Sequence, residues 1–377
     1  MFGGWLKPAA LLVGIAALLY LLIDFHNFID LRVYRAGGQA WLDGFPLYTD
    51  AFGLRSGGLQ FTYPPVSALL FTGFAVLPET AAIVVITAIS LAALATIGGI
   101  LLGWRVTAVL TVVLFAVTLE PVRQTISFGQ INLLLMLLVV ADCLLPRTWW
   151  PRGVLIGIAA ALKLTPAVFI LYFLAHRQWR QALMVVAGFA GATLLAWALA
   201  PDLLPAYLQT VIGDNTRVGG LTYTGNQSIN GLVQRLDLPR LVWFAAAVVV
   251  ALIAWRAVRR LRLAGDDLGA VVAVATAGLL ASPVSWSHHW VWAVVAGVWL
   301  WPRLTTVRAR IAAGAAFVVF VAPPHWLLPH KANREMDWDW WQHVIGNDFL
   351  WFAGALLLAL AFRRTTQQAG TPVAPPT

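Results

Sequence analysis

Charged side chains are scarce in this sequence. Only 11% of its 377 residues are Asp, Glu, Lys or Arg, whereas 60% are hydrophobic, well above the roughly 45–50% apolar usage of soluble domains. The mean hydropathy is +0.79. This composition argues against an ordinary soluble enzyme and indicates a protein that is solvated largely by lipid.

Cysteines and nucleotide-binding motifs are equally rare. The single cysteine, Cys143, lies in an apolar run, so a disulfide framework and a cysteine metal cluster are both excluded. The sequence contains no P-loop, GxGxxG fingerprint, HExxH pair or nucleophile elbow. We therefore expect no nucleotide-borne substrate, no metal and no cofactor. The net charge of +9 lies mostly in short loops between apolar runs, which is typical of membrane orientation signals and not of nucleic-acid binding.

Long apolar runs recur along the whole chain. Several approach the ~20 residues that a spanning helix requires, and none alternates with the period of two that a barrel strand shows. The sequence therefore predicts an all-α, polytopic integral membrane protein in which residues 1–377 form a single membrane-embedded domain. About twelve candidate helices, the first interpreted as retained and not as a cleaved signal, lie near 8–26, 65–78, 80–103, 106–119, 131–145, 153–175, 181–200, 241–258, 268–281, 289–302, 309–327 and 348–362.

Basic clusters predict the orientation of these helices. Counted from a cytoplasmic N-terminus, the clusters fall at cytoplasmic ends, and segments 27–64, 201–240, 282–289 and 328–347 lie on the extracytoplasmic face. Segment 153–175 does not fit a simple alternation. Because Pro166 disfavours helical geometry before it, we expect two half-helices meeting at Lys163, with residues 106–130 partly re-entrant. The polar external segments predict that any chemistry occurs on the outer face.

The first dense group of ionisable residues is "IDFHNFIDLRVYRAGG", residues 23–38. If this segment continues as a helix, spacings of three to four place one set of residues on one face: Asp30, Tyr34, Gly37, Gly38 and Trp41. Such a helix would hold a carboxylate over the bundle. The alternative is an interfacial carboxylate paired with Arg32 or Arg35. Asp24 and His26 are interpreted as interfacial.

A rigid connector follows in "LQFTYPPVSALLF". Tyr63 precedes two prolines, and proline suits the first turn of a helix because its backbone is already constrained. Alone this is a packing device, but it would keep the Asp30 segment fixed against the bundle.

Lys163 lies in the middle of an apolar run, "AAALKLTPAVF". An ionisable residue at such a depth is unfavourable by roughly 2.5–3.5 kcal/mol and marks function by default. Snorkelling to the surface is the alternative, although the nearest loops are distant. An ammonium beside a proline break suits an anionic group such as a lipid phosphate.

Two adjacent histidines, His288 and His289, occur in "SPVSWSHHW". They could bind metal, bind phosphate or lie in the membrane interface. Adjacent residues on a helix point about 100° apart, so both rarely ligate one ion. One histidine facing a phosphate is the more economical interpretation.

Amide side chains cluster at two helix boundaries, in "FGQIN" and "GNQSINGLVQRL". Neutral donors and acceptors of this kind suit sugar hydroxyls, and the candidates are Gln130, Asn132, Asn226, Gln227 and Asn230. Helix capping is the alternative, which Ser228 and Asn230 would fit.

Taken in order, "IDLRVYRAGG", "FTYPP", "GQIN", "ALKLTP", "NQSINGL" and "SPVSWSHHW" resemble glycosyltransferase family 87. These are polyprenol-phosphate-mannose-dependent α-mannosyltransferases of the GT-C superfamily, and mycobacterial phosphatidylinositol-mannoside and lipomannan α-(1→2)-mannosyltransferases are their best-known members. The resemblance covers roughly residues 25 to 300 and implies a GT-C-type bundle with periplasmic loop helices.

The resemblance also implies roles for particular residues. Asp30 would deprotonate the acceptor hydroxyl, Lys163 would neutralise the leaving phosphate, and His288 or His289 would lie near the donor phosphate. We place Arg35 on the phosphate side as well, and Tyr34 and Tyr63 with the amides on the sugar and acceptor side.

The implied partners are a polyprenyl-phosphate-sugar donor, a glycolipid acceptor and membrane lipids, with no nucleic acid. The oligomeric state stays open, with a monomer expected. Three alternatives also stay open: a GT-C transferase with another lipid-phosphate sugar donor, a secondary transporter, and a non-catalytic lipid-binding scaffold.

Overall fold

The computed structural model describes residues 27–212 and 219–362. The candidate first helix at 8–26, together with Asp24 and His26, lies outside these ranges. The described chain is helical. Its one β-type pairing is an isolated bridge between Asn226 and Trp286.

Eighteen α-helices occur in the described ranges. In chain order they are α1 Ile29–Leu42, α2 Ala51–Arg55, α3 Pro65–Ala75, α4 Glu79–Leu102, α5 Val106–Thr118, α6 Glu120–Phe128, α7 Asn132–Leu144, α8 Val154–Leu162, α9 Ile170–Leu174, α10 Trp179–Leu199, α11 Leu203–Tyr207, α12 Ile229–Arg235, α13 Arg240–Leu263, α14 Asp267–Ala281, α15 Ala293–Leu300, α16 Val307–Val321, α17 Trp340–Gly346 and α18 Asp348–Phe362. Short 3₁₀ turns include Thr165–Phe169, Ser287–Trp292 and Pro324–Leu327.

Fewer helices have the length of a membrane span than the sequence predicts. Within the described residues, α4, α10 and α13 are long and apolar enough to cross a bilayer, and the number rises to 5 if each bent pair counts as one span. The bent pairs are α5 with α6, at 84°, and α17 with α18, at 67°. The prediction of a helical membrane protein is therefore supported, whereas the count of about twelve spans is not confirmed. Periodicity does not separate a short buried apolar helix from a spanning one, which explains the excess.

Two predicted irregularities are present. The 84° bend between α5 and α6 lies inside the segment expected to be partly re-entrant. Segment 153–175 is interrupted at Lys163, whose backbone is extended at φ −150° and ψ 123°. The turn that follows carries Pro166 in its first positions, where the missing N–H leaves no helical bond unmade.

The apolar interior forms two clusters that meet at α7 and α8. One cluster includes Met136 of α7 and Ile156 of α8, and the other includes Leu135 of α7 and Leu162 of α8. Helices α7 and α8 therefore border both clusters. Polar side chains of the candidate site project from this junction.

Helix α1 packs very closely on the second cluster. A Cβ on Gly37 would lie 2.4 Å from the Phe61 ring, and one on Gly38 would lie 2.4 Å from the Phe71 carbonyl oxygen. Only glycine permits this approach. The contact holds α1, and with it Asp30, directly against α3.

Candidate active site

Asp30 lies in the first turn of α1, as predicted. A carboxylate is favourable there because the helix dipole presents partial positive charge at its N-terminus. The predicted face is also present: Tyr34 is fully buried, Gly37 and Gly38 are buried, and Trp41 packs against the apolar cluster. The juxtamembrane helix therefore presents Asp30 towards the bundle.

Neither Arg32 nor Arg35 pairs with Asp30 in the part of the chain that the structure describes. Arg32 instead forms an ion pair with Glu79, with 3.1 Å between its Nε and the carboxylate oxygen. Arg35 donates to two backbone carbonyls at the end of α3, over 3.2 and 2.8 Å. The structure thus ties Arg35 to α3 and does not bring it to the phosphate side, where we expected it.

The carboxyl group of Asp30 faces Gln130, Tyr34, Tyr63 and Lys163. Burial raises the pKa of Asp30 to about 6, and a hydrogen bond from Gln130 and the charge of Lys163 partly oppose that rise. Tyr34 donates to the Gln130 Oε1 atom over 2.7 Å, and the hydroxyl groups of Tyr34 and Tyr63 are 3.0 Å apart. The predicted sugar-side residues Tyr34, Tyr63 and Gln130 are therefore brought together, but their polar atoms bond mainly to one another.

Lys163 is held at the break between α8 and the following turn. Its Nζ donates to Asn132 Oδ1 over 3.0 Å and lies 3.1 Å from His289 Nε2. The ammonium is also 5.6 Å from the centre of the Tyr63 ring, within the range of a cation–π contact. Two predicted site residues, Asn132 and His289, thus hold Lys163 in place. The side-chain oxygen of Asn132 is bonded to the Lys163 ammonium.

The two histidines have different environments. The His289 ring also bonds the backbone of Val284, so with one nitrogen donating to that carbonyl the other accepts from Lys163. His288 is fixed by its backbone carbonyl, which accepts from Thr125 Oγ1 over 2.8 Å and Asn132 Nδ2 over 2.9 Å. Its ring nitrogen Nε2 is buried and has no hydrogen-bond partner within the described ranges.

A cleft opens beside this cluster, between α7, α14 and the two 3₁₀ turns that carry Pro166 and His289. Asn132 and His289 line its polar part, while most of its walls are apolar. The wall residues include Leu135, Met136, Val168, Phe169, Ala275, Leu279 and Trp292. An anionic group attached to a hydrocarbon chain suits such a cleft, because Asn132 and His289, the two partners of the Lys163 ammonium, line one part of it and apolar side chains line most of the rest.

The amides of the second cluster bond to other parts of the protein. Asn226, Gln227 and Asn230 are almost completely buried. Asn226 Oδ1 accepts from Ser228 Oγ over 2.9 Å, and Asn230 donates to the Pro283 carbonyl over 3.0 Å. Ser228 caps α12, as the alternative interpretation expected. Asn226 and Asn230 thus bond the loop that carries the histidines, and Gln227 donates to the Thr224 and Gly346 carbonyls. None of the three amides lines the cleft.

One buried polar group, around His325 and Glu120, was not predicted from the sequence. His325 Nδ1 lies 2.8 Å from Asp348 Oδ1, and Glu120 accepts from the Trp326 indole over 3.0 Å. Glu120 and Asp348 are the first residues of α6 and α18, so this group fastens the two bent helix pairs together. The signal available in the sequence was Glu120, a carboxylate within an apolar stretch.

No group of three or more His, Cys, Asp or Glu side chains in the described parts of the chain could hold a metal ion. The candidate site contains the Asp30 carboxyl group, with a pKa near 6, and the Lys163 ammonium, held by neutral partners. It also contains the buried ring nitrogen of His288. These groups can accept one proton and stabilise one departing anion, which are the two requirements of displacement at a sugar carbon.

Comparisons with known proteins identify the family of the chain. The chain is 39% identical to the polyprenol-phosphate-mannose-dependent alpha-(1-2)-phosphatidylinositol mannoside mannosyltransferase of Mycobacterium tuberculosis, over 91% of this chain and 87% of the relative. It is 41% identical to the protein of the same name from Mycolicibacterium smegmatis, over 88% and 83%. A pentamannoside mannosyltransferase of the latter organism is 34% identical over 86% and 82%. No solved structure matches. The profile of glycosyltransferase family 87 matches residues 61–283, and the chain belongs to that family.

Proposed function

We propose that this glycosyltransferase moves mannose from polyprenyl-phosphate-mannose to a glycolipid acceptor of the phosphatidylinositol-mannoside type, with inversion and formation of an α-(1→2) linkage. The names of the relatives at 39% and 41% identity support the donor and the acceptor class. The observation that carries the mechanism is the placement of Asp30 and Lys163 around one site, beside a cleft with apolar walls. The reaction takes place on the extracytoplasmic side of the membrane.

Asp30 acts as the general base. The acceptor hydroxyl oxygen attacks the anomeric carbon of mannose, its proton passes to the Asp30 carboxylate, and the bond from that carbon to the phosphate oxygen breaks. The carbon passes through an oxocarbenium-like state, as in glycoside hydrolysis. A raised pKa suits this role because the group is ionised near neutral pH yet basic enough to accept a proton.

Lys163 and His288 stabilise the phosphate that departs. The phosphodiester donor carries one negative charge, and the released polyprenyl phosphate carries a second, which a cation in a water-poor site stabilises strongly. His289 keeps the ammonium in place, whereas His288 Nε2 is buried without a partner among the described residues. We therefore assign the direct phosphate contact to His288 and the positioning of Lys163 to His289.

The polyprenyl chain of the donor enters the cleft beside His289 and Asn132. Its apolar walls and its polar end match a lipid chain attached to a phosphate. The same arrangement would accept another lipid-phosphate sugar, because no described contact selects the sugar. Comparing polyprenyl-phosphate-mannose with polyprenyl-phosphate-arabinose as the donor distinguishes the two possibilities.

The direct experiment is Asp30→Asn in the purified protein, reconstituted in liposomes with polyprenyl-phosphate-mannose and a phosphatidylinositol mannoside. We expect turnover to fall by about 10²–10⁴ because the general base is lost. Asp43→Asn is the matched control, since Asp43 is an exposed aspartate near the end of the same helix and pairs with Arg55. Wild-type turnover of a folded Asp30→Asn protein would refute the assignment.

A further inference from the structure

We propose that Gln130 is a positioning residue for the base, held by two tyrosine hydroxyl groups so that its amide N–H fixes the Asp30 carboxylate. This inference rests on the proposed role of Asp30. It gives Gln130 a function different from the sugar contact expected of an amide in "GQIN".

The orientation of the Gln130 amide follows from its partners. Its Oε1 lies 2.7 Å from the Tyr34 hydroxyl and 3.3 Å from the Tyr63 hydroxyl. Tyr34 also bonds the backbone of Ile131. Since that backbone group is an N–H donor, the Tyr34 oxygen accepts there and its own hydrogen is free for Gln130.

The opposite rotamer of the amide would be unfavourable. With Oε1 directed at the hydroxyl groups, the amide nitrogen is the group left for the Asp30 side chain, with which Gln130 forms a hydrogen bond. A flipped amide would direct its oxygen at a carboxylate oxygen, and both atoms are acceptors. The two tyrosines therefore determine which end of Gln130 meets Asp30.

The carboxylate benefits from this restraint because general-base catalysis depends on position. One carboxylate oxygen bonds to the amide, and the other remains to accept the acceptor proton. Charged and titratable groups face Asp30 from three elements: Tyr34 from α1, Tyr63 from the connector before α3, and Lys163 from the break after α8. The phenols stay neutral near pH 7, so Lys163 is the charged neighbour of Asp30, and Gln130 supplies the directional bond.

The test is Gln130→Met, which keeps the side-chain length and removes the donor. A hydrogen bond to the ionised form lowers a pKa, so its loss raises the pKa of Asp30. We expect the midpoint of the kcat/KM profile to move up by about one pH unit. Turnover at the plateau should fall roughly tenfold, with little change in KM for either substrate.

Gln39→Met is the matched control. Gln39 lies on the same helix as Asp30 and also donates an amide bond to an aspartate, Asp43, over 2.8 Å, but in an exposed position. Its replacement should leave the profile unchanged. Tyr34→Phe and Tyr63→Phe each remove one hydroxyl from the Gln130 oxygen, so each should shift the midpoint upward by less than Gln130→Met does.

If Gln130→Met raises KM for the acceptor and leaves the midpoint in place, Gln130 is a sugar contact and the inference is wrong. If Gln130→Met does not fold, Tyr34→Phe and Tyr63→Phe provide the measurement, and an unchanged midpoint in both variants overturns the proposal. An active Asp30→Asn protein removes the proposed role of Asp30 as the base. An inactive Asp30→Asn protein combined with an unshifted Gln130→Met profile removes only the positioning role.

Discussion

Sugar transfer by this enzyme should fall about tenfold when the pH is lowered from 7 to 5. Burial raises the pKa of Asp30 to about 6, and the group must be ionised to accept a proton. About nine tenths of the molecules carry the ionised form at pH 7, and about one tenth carry it at pH 5. An aspartate with the ordinary pKa of about 3.9 would stay ionised over this whole range. The tenfold fall therefore measures the burial of Asp30.

The assay is the initial rate of mannose transfer in liposomes, with the same buffer on both sides of the membrane. The ratio kcat/KM is the relevant quantity because it reports the pKa values of the free enzyme. Returning the sample to pH 7 must restore the rate, which excludes irreversible unfolding. Asp43→Asn should show the wild-type profile. A rate that falls only near pH 4 would refute the burial argument, and a rate that does not fall on acidification would also refute the assignment of Asp30 as the base.

Three further changes test other parts of the structure. Lys163→Met should lower kcat by about 10²–10³ because a cation facing the departing phosphate is lost, whereas Lys331→Met, at an exposed position, should be silent in the same assay. His289→Gln should retain more activity than His289→Phe, because only the amide offers an acceptor to the Lys163 ammonium 3.1 Å away; equal activities would contradict that role. Gly38→Ala should destabilise the protein by about 1–3 kcal/mol, since the new Cβ meets backbone at 2.4 Å, and Gly73→Ala, with open space around it, should leave the thermal unfolding temperature unchanged.

Local features of the site could be predicted from the sequence. Helix α1 and its inward face follow from the three-to-four spacing of Asp30 and Tyr34, and the structure has both. The break at Lys163 follows from the effect of Pro166 on the preceding residues. These predictions succeed because each depends on neighbours within one or two helical turns.

Long-range partners could not be predicted in the same way. Asn226, Gln227 and Asn230 resemble sugar-binding amides in composition. Asn226 and Asn230, however, bond a loop more than fifty residues away, and Gln227 bonds the Gly346 carbonyl. A buried amide and a ligand-binding amide have the same sequence signature, because each needs hydrogen bonds that water does not supply. The acceptor contacts expected of these three residues stay a prediction that their placement does not support.

The partners of Arg35 could not be predicted from the sequence either. The positive charge could have served a phosphate or a helix end, and α3 ends where its carbonyls lack helical partners. The guanidinium donates to those carbonyls, and the sequence contains no sign of this because α1 and α3 are brought together by the contact at Gly38. The predicted number of spans is not confirmed for a similar reason, since several apolar runs are short helices that pack against their neighbours.

The partners of Lys163 explain how one cation can hold a fixed position and still serve a phosphate. An ammonium has three N–H donors, and the bonds to Asn132 and His289 use two of them. Both acceptors are neutral, so they restrain the side chain without cancelling its charge. A carboxylate in either position would form an ion pair and leave little net attraction for an anionic donor. Replacing Asn132 with Asp keeps an acceptor for the ammonium, although it removes the donor to the His288 carbonyl. The change should raise KM for the lipid-phosphate donor, and an unchanged KM would show that the charge of Lys163 is not what holds that donor.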